Sequence, residues 1–227
     1  MEEKEKLITV TGKGSIHVVP DVTRVELTLA SIHDSYEDAY KQAKSNTDAL
    51  AKIMKGTNLD TSLPKTIHLD INKQTENQYD KYHNYTGQKF VGFALDHKVK
   101  IDLDMDNVLL NNLVKHIGKT LKQAEINIIY TVKDPRPSQL KMLERAVKDA
   151  KEKAEIMAKA LGCSLGLVKD INYSVQEVHI YSQARNIHDA DEAMSCNEES
   201  LDITPDDLVA SDNVTVVWYL SNTTKKQ

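Results

Sequence analysis

The chain predicts an α+β fold, a mixed or largely antiparallel sheet covered by three helices, from two kinds of apolar spacing. Alternating apolar and polar residues mark strands: Val25, Leu27 and Leu29 between Arg24, Glu26 and Thr28, and Ile67, Leu69 and Ile71 between His68, Asp70 and Asn72. Stripes recurring every three or four residues separate these runs and mark amphipathic helices. A layer of helices on a sheet lets both patterns bury their apolar sides.

In order, Leu7 to Thr11 reads as a short strand. Gly12-Lys13-Gly14 then reads as a tight turn into a longer strand from Ser15 to about Ile32, an opening hairpin. Pro20 lacks an amide hydrogen, so Val19-Pro20-Asp21 is expected at a bulge or an edge. Ser35 followed by Asp38 has capping-box spacing and starts a helix whose stripe is Tyr36, Ala39, Tyr40, Ala43, Leu50, Ile53 and Met54, with Gly56 as a left-handed stop. Ile67 to Leu103 forms a long hairpin across a polar middle.

A second helix, from Asn107 to Leu121, shows Val108, Leu109, Leu113, Val114, Ile117 and Leu121, and a short strand follows at Ile126 to Val132. After Asp134-Pro135-Arg136-Pro137, Ser138 is expected to cap the longest helix, which Gly162 ends. Its face is read as Leu140, Leu143, Val147, Ala150, Ala154, Met157 and Leu161, and sheet packing is preferred to a coiled coil because the alanines suit close contact. Leu167 to about Ile180 returns to strand. Residues 183–207 are acidic and poor in large apolar side chains, which predicts a mobile excursion within a single domain spanning 7–220. Asn213 to Leu220, with the only tryptophan, Trp218, closes the chain as a strand.

Composition narrows the function classes. Hydrophobic residues at 40% and charged residues at 28% are ordinary for a globular core. A formal charge of −5 favours neither nucleic acid nor anionic membrane as a partner. No apolar run reaches the roughly 20 residues of a transmembrane helix. The charged opening Met1 to Lys6 leaves no hydrophobic region for a signal peptide, so the chain as written is expected in the cytoplasm, and in the periplasm or cell envelope if a leader has been replaced.

The chemistry-bearing residues form no recognisable constellation. Gly12-Lys13-Gly14 lacks the third glycine and following helix of a dinucleotide loop. Asp102, Asp104 and Asp106 have the spacing of calcium ligands, but Asn107 and Leu113 stand where a calcium loop needs glycine and glutamate, so capping is the better reading. The histidines, His17, His33, His68, His83, His97, His116, His179 and His188, have no paired metal spacing. Cys163 follows a helix end and Cys196 sits among carboxylates, and both settings disfavour a thiolate. No catalytic residue, cofactor or metal ligand is therefore assigned. The best binding candidate is the aromatic cluster Tyr79, Tyr82, His83 and Tyr85 between the two strands of the long hairpin, set against the plainer reading of a solvated loop with incidental tyrosines.

Ile8-Thr9-Val10-Thr11-Gly12-Lys13-Gly14 and Val19-Pro20-Asp21 open the chain. Gly92-Phe93, Asp134-Pro135, Lys153-Ala154-Glu155, Leu161-Gly162 with Leu165-Gly166, and Val214-Thr215-Val216 then follow in order. Together they resemble the SIMPL (DUF541) family from Leu7 to Leu220. The resemblance implies no agreed catalytic residues. Relatives include bacterial envelope proteins linked to oxidative stress, one of which forms a hollow ring, and a mammalian protein that binds a signalling kinase. The expectation is a non-enzymatic, self-assembling, stress-associated protein forming a homo-oligomer, a ring in the fullest form. An adaptor using the tyrosine loop and an enzyme with a site built from scattered residues are the alternatives.

Overall fold

A computed structural model describes residues 5–173, 181–187 and 205–222. Within them the order is β1 (Leu7–Val18), β2 (Val22–His33), α1 (Tyr36–Gly56), β3 (Lys65–Tyr79), β4 (Tyr85–Asp104), α2 (Asn107–Thr120), β5 (Glu125–Thr131), α3 (Arg136–Ala160), β6 (Cys163–Asn172), β7 (Tyr181–Ile187) and β8 (Leu208–Asn222). The fold is α+β with antiparallel sheets, as expected, but the strands divide into two sheets, in the orders β1-β8-β6 and β3-β4-β2-β5-β7. The chain correspondingly separates into two compact units. No described helix is long and apolar enough to cross a membrane.

The first unit holds β1, α3, β6 and β8. β1 runs unbroken through Gly12 and Gly14 and pairs with β8 from Leu7↔Tyr219 to Val18↔Leu208. The expected turn and opening hairpin are therefore corrected: the break falls at Val19-Pro20-Asp21, and β2 belongs to the other sheet. The glycines serve close approach. A Cβ on Gly12 would lie 2.1 Å from the Ala146 carbonyl oxygen, and one on Gly14 would lie 1.9 Å from that of Met142, so α3 rests directly on the backbone of β1.

That contact also decides which face α3 buries. Met142, Ala146, Ala150, Ala154 and Ala158 are buried at i+4 spacing, whereas Leu140, Val147, Met157 and Leu161 of the expected stripe are exposed. Where the helix rests on the glycine-bearing strand there is room for little beyond a methyl group, so alanine forms the seam from Ala146 to Ala158, with Met142 filling its first position. The helix also begins earlier than expected. Pro135 occupies the N-cap without a side-chain bond, Pro137 lies in the first turn, where an amide hydrogen is dispensable, and Ser138 is already helical. Val10, Val214, Val216 and Trp218 complete this core.

The second unit holds the five-stranded sheet with α1 and α2. β4 pairs with β2 from Val22↔Asp104 to His33↔Phe93, and its alternate residues Leu95, His97, Val99, Ile101 and Leu103 are buried. Ser35 caps α1, its Oγ accepting from the Asp38 amide at 3.1 Å and donating to the Asp38 carboxylate at 2.7 Å. Ala39, Ala43, Leu50, Ile53 and Met54 of the expected face are buried, while Tyr36 and Tyr40 are exposed. The left-handed residue after α1 is Asn58, at φ 57°, rather than Gly56, which ends the helix. In α2 the buried set includes Leu110, and Val108 faces outward. Residues 183–187, expected in the acidic excursion, belong to β7 beside β5, and 205–207 precede β8 without regular structure; the rest of that expectation, 188–204, lies outside the described residues.

Candidate functional site

The tyrosine cluster lies at the end of a two-stranded arm. β2 accompanies β4 only as far as His33↔Phe93, but β3 and β4 stay paired from Gln74↔Gly92 to Tyr79↔Tyr85. At about 3.4 Å per residue, six residues of β3 carry the ribbon about 20 Å past its last three-stranded point. Gly92 sits at the base with φ 157°, where a Cβ would come within 2.6 Å of the His33 carbonyl oxygen, so only glycine lets β4 pass the end of β2. Cross-strand polar bonds brace the ribbon: Gln88 Nε2 donates to Asn77 Oδ1 at 3.3 Å and Thr75 Oγ1 to Gln88 Oε1 at 3.4 Å.

Asp80 builds the tip. Its Oδ1 accepts from the amides of Tyr82 at 2.8 Å and Asn84 at 2.9 Å, its Oδ2 accepts from Asn84 Nδ2 at 3.2 Å, and its own amide donates to the Asn84 carbonyl at 2.9 Å. Those bonds, the Asn84 amide first, hold the Asp80 carboxyl below the usual carboxylate range. His83 takes the left-handed conformation at φ 64° that closes the turn. Tyr79 and Tyr85 meet edge to face with centroids 6.1 Å apart, and Lys81 Nζ stands 5.0 Å from the Tyr82 ring. All four predicted residues are brought to one tip and all are exposed, Tyr82 at 71%. Phe90, half exposed, packs edge to face on Phe93 at 5.4 Å and extends the aromatic surface towards the base; sequence reading missed it because strict alternation puts residues three apart on opposite faces, and only the register shift that skips Val91 brings these two together.

The other candidates disperse. Asp106 caps α2, accepting from the amides of Val108 at 2.8 Å and Leu109 at 3.0 Å, and Asp102 forms a bidentate pair with Arg24 at 2.7 and 3.0 Å. His116 Nδ1 lies 2.8 Å from the Asn112 carbonyl one turn earlier, and His68 stands 4.0 Å from Asp96. His97 is the exception to surface placement. It is 2% exposed in the sheet core, with Nε2 3.1 Å from Thr66 Oγ1 and Nδ1 without a partner among the described residues, and burial pushes its pKa down against a smaller opposing pull from Asp96. Among the described residues no group of three or more His, Cys, Asp or Glu side chains converges. Cys163 is partly buried at the start of β6; Cys196, His179 and His188 lie outside the described residues.

Among curated proteins, none matches this chain. The sequence profile of SIMPL, described as a protein of unknown function (DUF541), matches residues 8–218, a span that takes in β1, the arm, the alanine helix and most of β8. A match over that length, on a fold whose glycines and alanines interlock as described, means that the chain belongs to the SIMPL (DUF541) family.

Proposed function

We propose that this protein works by binding rather than by catalysis, assembling with further copies of itself through the β3–β4 arm. The observation that carries the reading is the arm itself. Beyond His33↔Phe93 neither edge of the ribbon pairs with another strand among the described residues; a two-stranded ribbon is marginal on its own in water, and open edges are surfaces that pair with other strands. Here the ribbon ends in three exposed tyrosines held in a turn that Asp80 pre-organises. Pre-organised aromatic side chains bury large area with little loss of freedom, as association requires. The stress-associated setting of relatives is compatible with this assembly role.

The test is light scattering on the full chain and on a Tyr79→Ser/Tyr82→Ser/Tyr85→Ser variant. An oligomeric mass for the wild-type chain that falls in the variant is expected. A monomeric mass at high micromolar concentration removes self-assembly. A second reading, an adaptor that binds another protein, draws on the same exposed Tyr79, Tyr82 and Tyr85, since tyrosine is enriched where different proteins meet. In that case, pull-down from the source cell would recover a partner with the wild-type chain and lose it with the variant.

A further inference from the structure

The five-stranded sheet is incomplete at one corner. β2 pairs with β4 along its whole length to His33 but with β5 only as far as Thr28, which faces Glu125. From Leu29 to His33 the side of β2 turned towards β5 has no neighbouring strand among the described residues, so its backbone amides and carbonyls lack ladder partners. α1 and the turn from α2 into β5 border the gap and leave a cleft of about 580 Å³. That volume falls within the range of small-molecule sites, about 300–1,000 Å³.

The lining is rich in donors. Lys119 and Lys122 border the cleft and have no carboxylate partner among the described residues. Asn46, 5% exposed, uses its Oδ1 to accept from Gln42 Nε2 at 2.9 Å, which leaves its amide hydrogens unassigned to any acceptor among the described residues. Ser31 Oγ and His33 Nε2 lie 2.9 Å apart on the open strand. A neighbouring depression of about 330 Å³ shares Thr120 and adds Lys44 and Lys52, with Asp48 as the carboxylate in its lining. In a chain of formal charge −5 this is a local reversal of sign. The dipole of α2 accounts for a cation in its last turn, Lys119. It does not account for a buried amide, a serine–histidine pair and an open strand edge converging on the same space.

We propose that this cleft binds a small polyanion bearing phosphate or carboxylate groups, with Lys119 and Lys122 neutralising its charge and Asn46 and the free edge of β2 donating hydrogen bonds. Charge-assisted bonds of this kind are the strong class, and a cleft whose charged lining residues carry one sign focuses the field on an incoming anion. The site is independent of the arm.

Titration calorimetry of the full chain at fixed physiological ionic strength, with pyrophosphate in one arm and citrate in the other, tests it. Saturable binding in one arm is expected and identifies the ligand chemistry. Lys119→Gln/Lys122→Gln should weaken it by about tenfold or more, as loss of charge-assisted bonds implies. Amide chemical shifts of the wild-type chain should move at Ser31, His33, Asn46 and residues 119–123, and this map decides the matter should the double variant melt early. Heats no larger than those of sodium chloride in both arms, undiminished affinity in a folded variant, or shifts scattered over the surface lysines would overturn the proposal.

Discussion

Replacing Gly14 with alanine places a methyl carbon 1.9 Å from the Met142 carbonyl oxygen and 2.7 Å from the Ala146 amide nitrogen. Ordinary contact begins at 3.4 Å, so α3 must retreat by about 1.5 Å, and because the obstructing atoms are backbone, no rotamer change relieves them. A gap of 0.5–1 Å already forfeits about a quarter to a half of a dispersion contact, and the retreat opens such gaps along Met142, Ala146, Ala150, Ala154 and Ala158, all 0–1% exposed. Overpacking typically costs about 1–3 kcal/mol, and a rigid backbone target puts this case near the top. The reduced entropy of the unfolded chain returns about 0.4–1 kcal/mol. A net loss of about 2 kcal/mol lowers Tm by about 4–8 °C in a chain of this length. Gly56→Ala is the control: its Cβ meets only the His116 ring, at 3.8 Å, at the last residue of α1, where alanine gains a part of the about 1 kcal/mol it has over glycine in a helix interior. Thermal melts followed by circular dichroism should move in opposite directions. Gly14→Ala melting at or above the wild type would refute the close-approach account of β1.

Three further outcomes are expected. Burial holds His97 below its ordinary pKa of 6.5, so the folded state disfavours its charged form, and the stability gained from the neutral ring is present above that value and lost as pH falls through the lowered folded pKa. Urea unfolding at pH 7.5 and 5.5 should show this loss, and His97→Asn should reduce the difference. Ending the chain at Ser211 removes most of the central strand of the β1-β8-β6 sheet with buried Val214, Val216 and Trp218. At about 1.5–3 kcal/mol per large side chain, against a total of about 5–15 kcal/mol, that variant should show no cooperative melt of this unit. On α3, Ala150→Leu should destabilise by about 1–3 kcal/mol through overpacking, while Leu161→Lys, at the C-cap just after the helix and on a side chain 70% exposed, should melt within about 0.5 kcal/mol of wild type.

What the sequence alone determined is what depends on neighbours close along the chain. Alternation placed β2 and β4, Ser35 and Asp106 announced the starts of α1 and α2, Pro20 marked a break, and the spacing of Tyr79, Tyr82, His83 and Tyr85 placed them around one loop. Each follows from local geometry: a period of two, a side-chain oxygen within reach of a nearby amide, a missing amide hydrogen. The tertiary structure decided whatever rests on partners more than a hundred residues away. Gly12 and Gly14 looked like a turn because their reason for being glycine lies on α3, and the expected face of α3 included Ala150 and Ala154 but missed Met142, Ala146 and Ala158, because the reason for a full seam at that spacing lies on β1. The arm and the cleft were likewise hidden, since both arise where one strand outlasts its neighbour: β3 and β4 run on beyond β2, and β2 runs on beyond β5. Register between distant strands sets those mismatched ends, and no local pattern in a single strand encodes the length of the strand beside it.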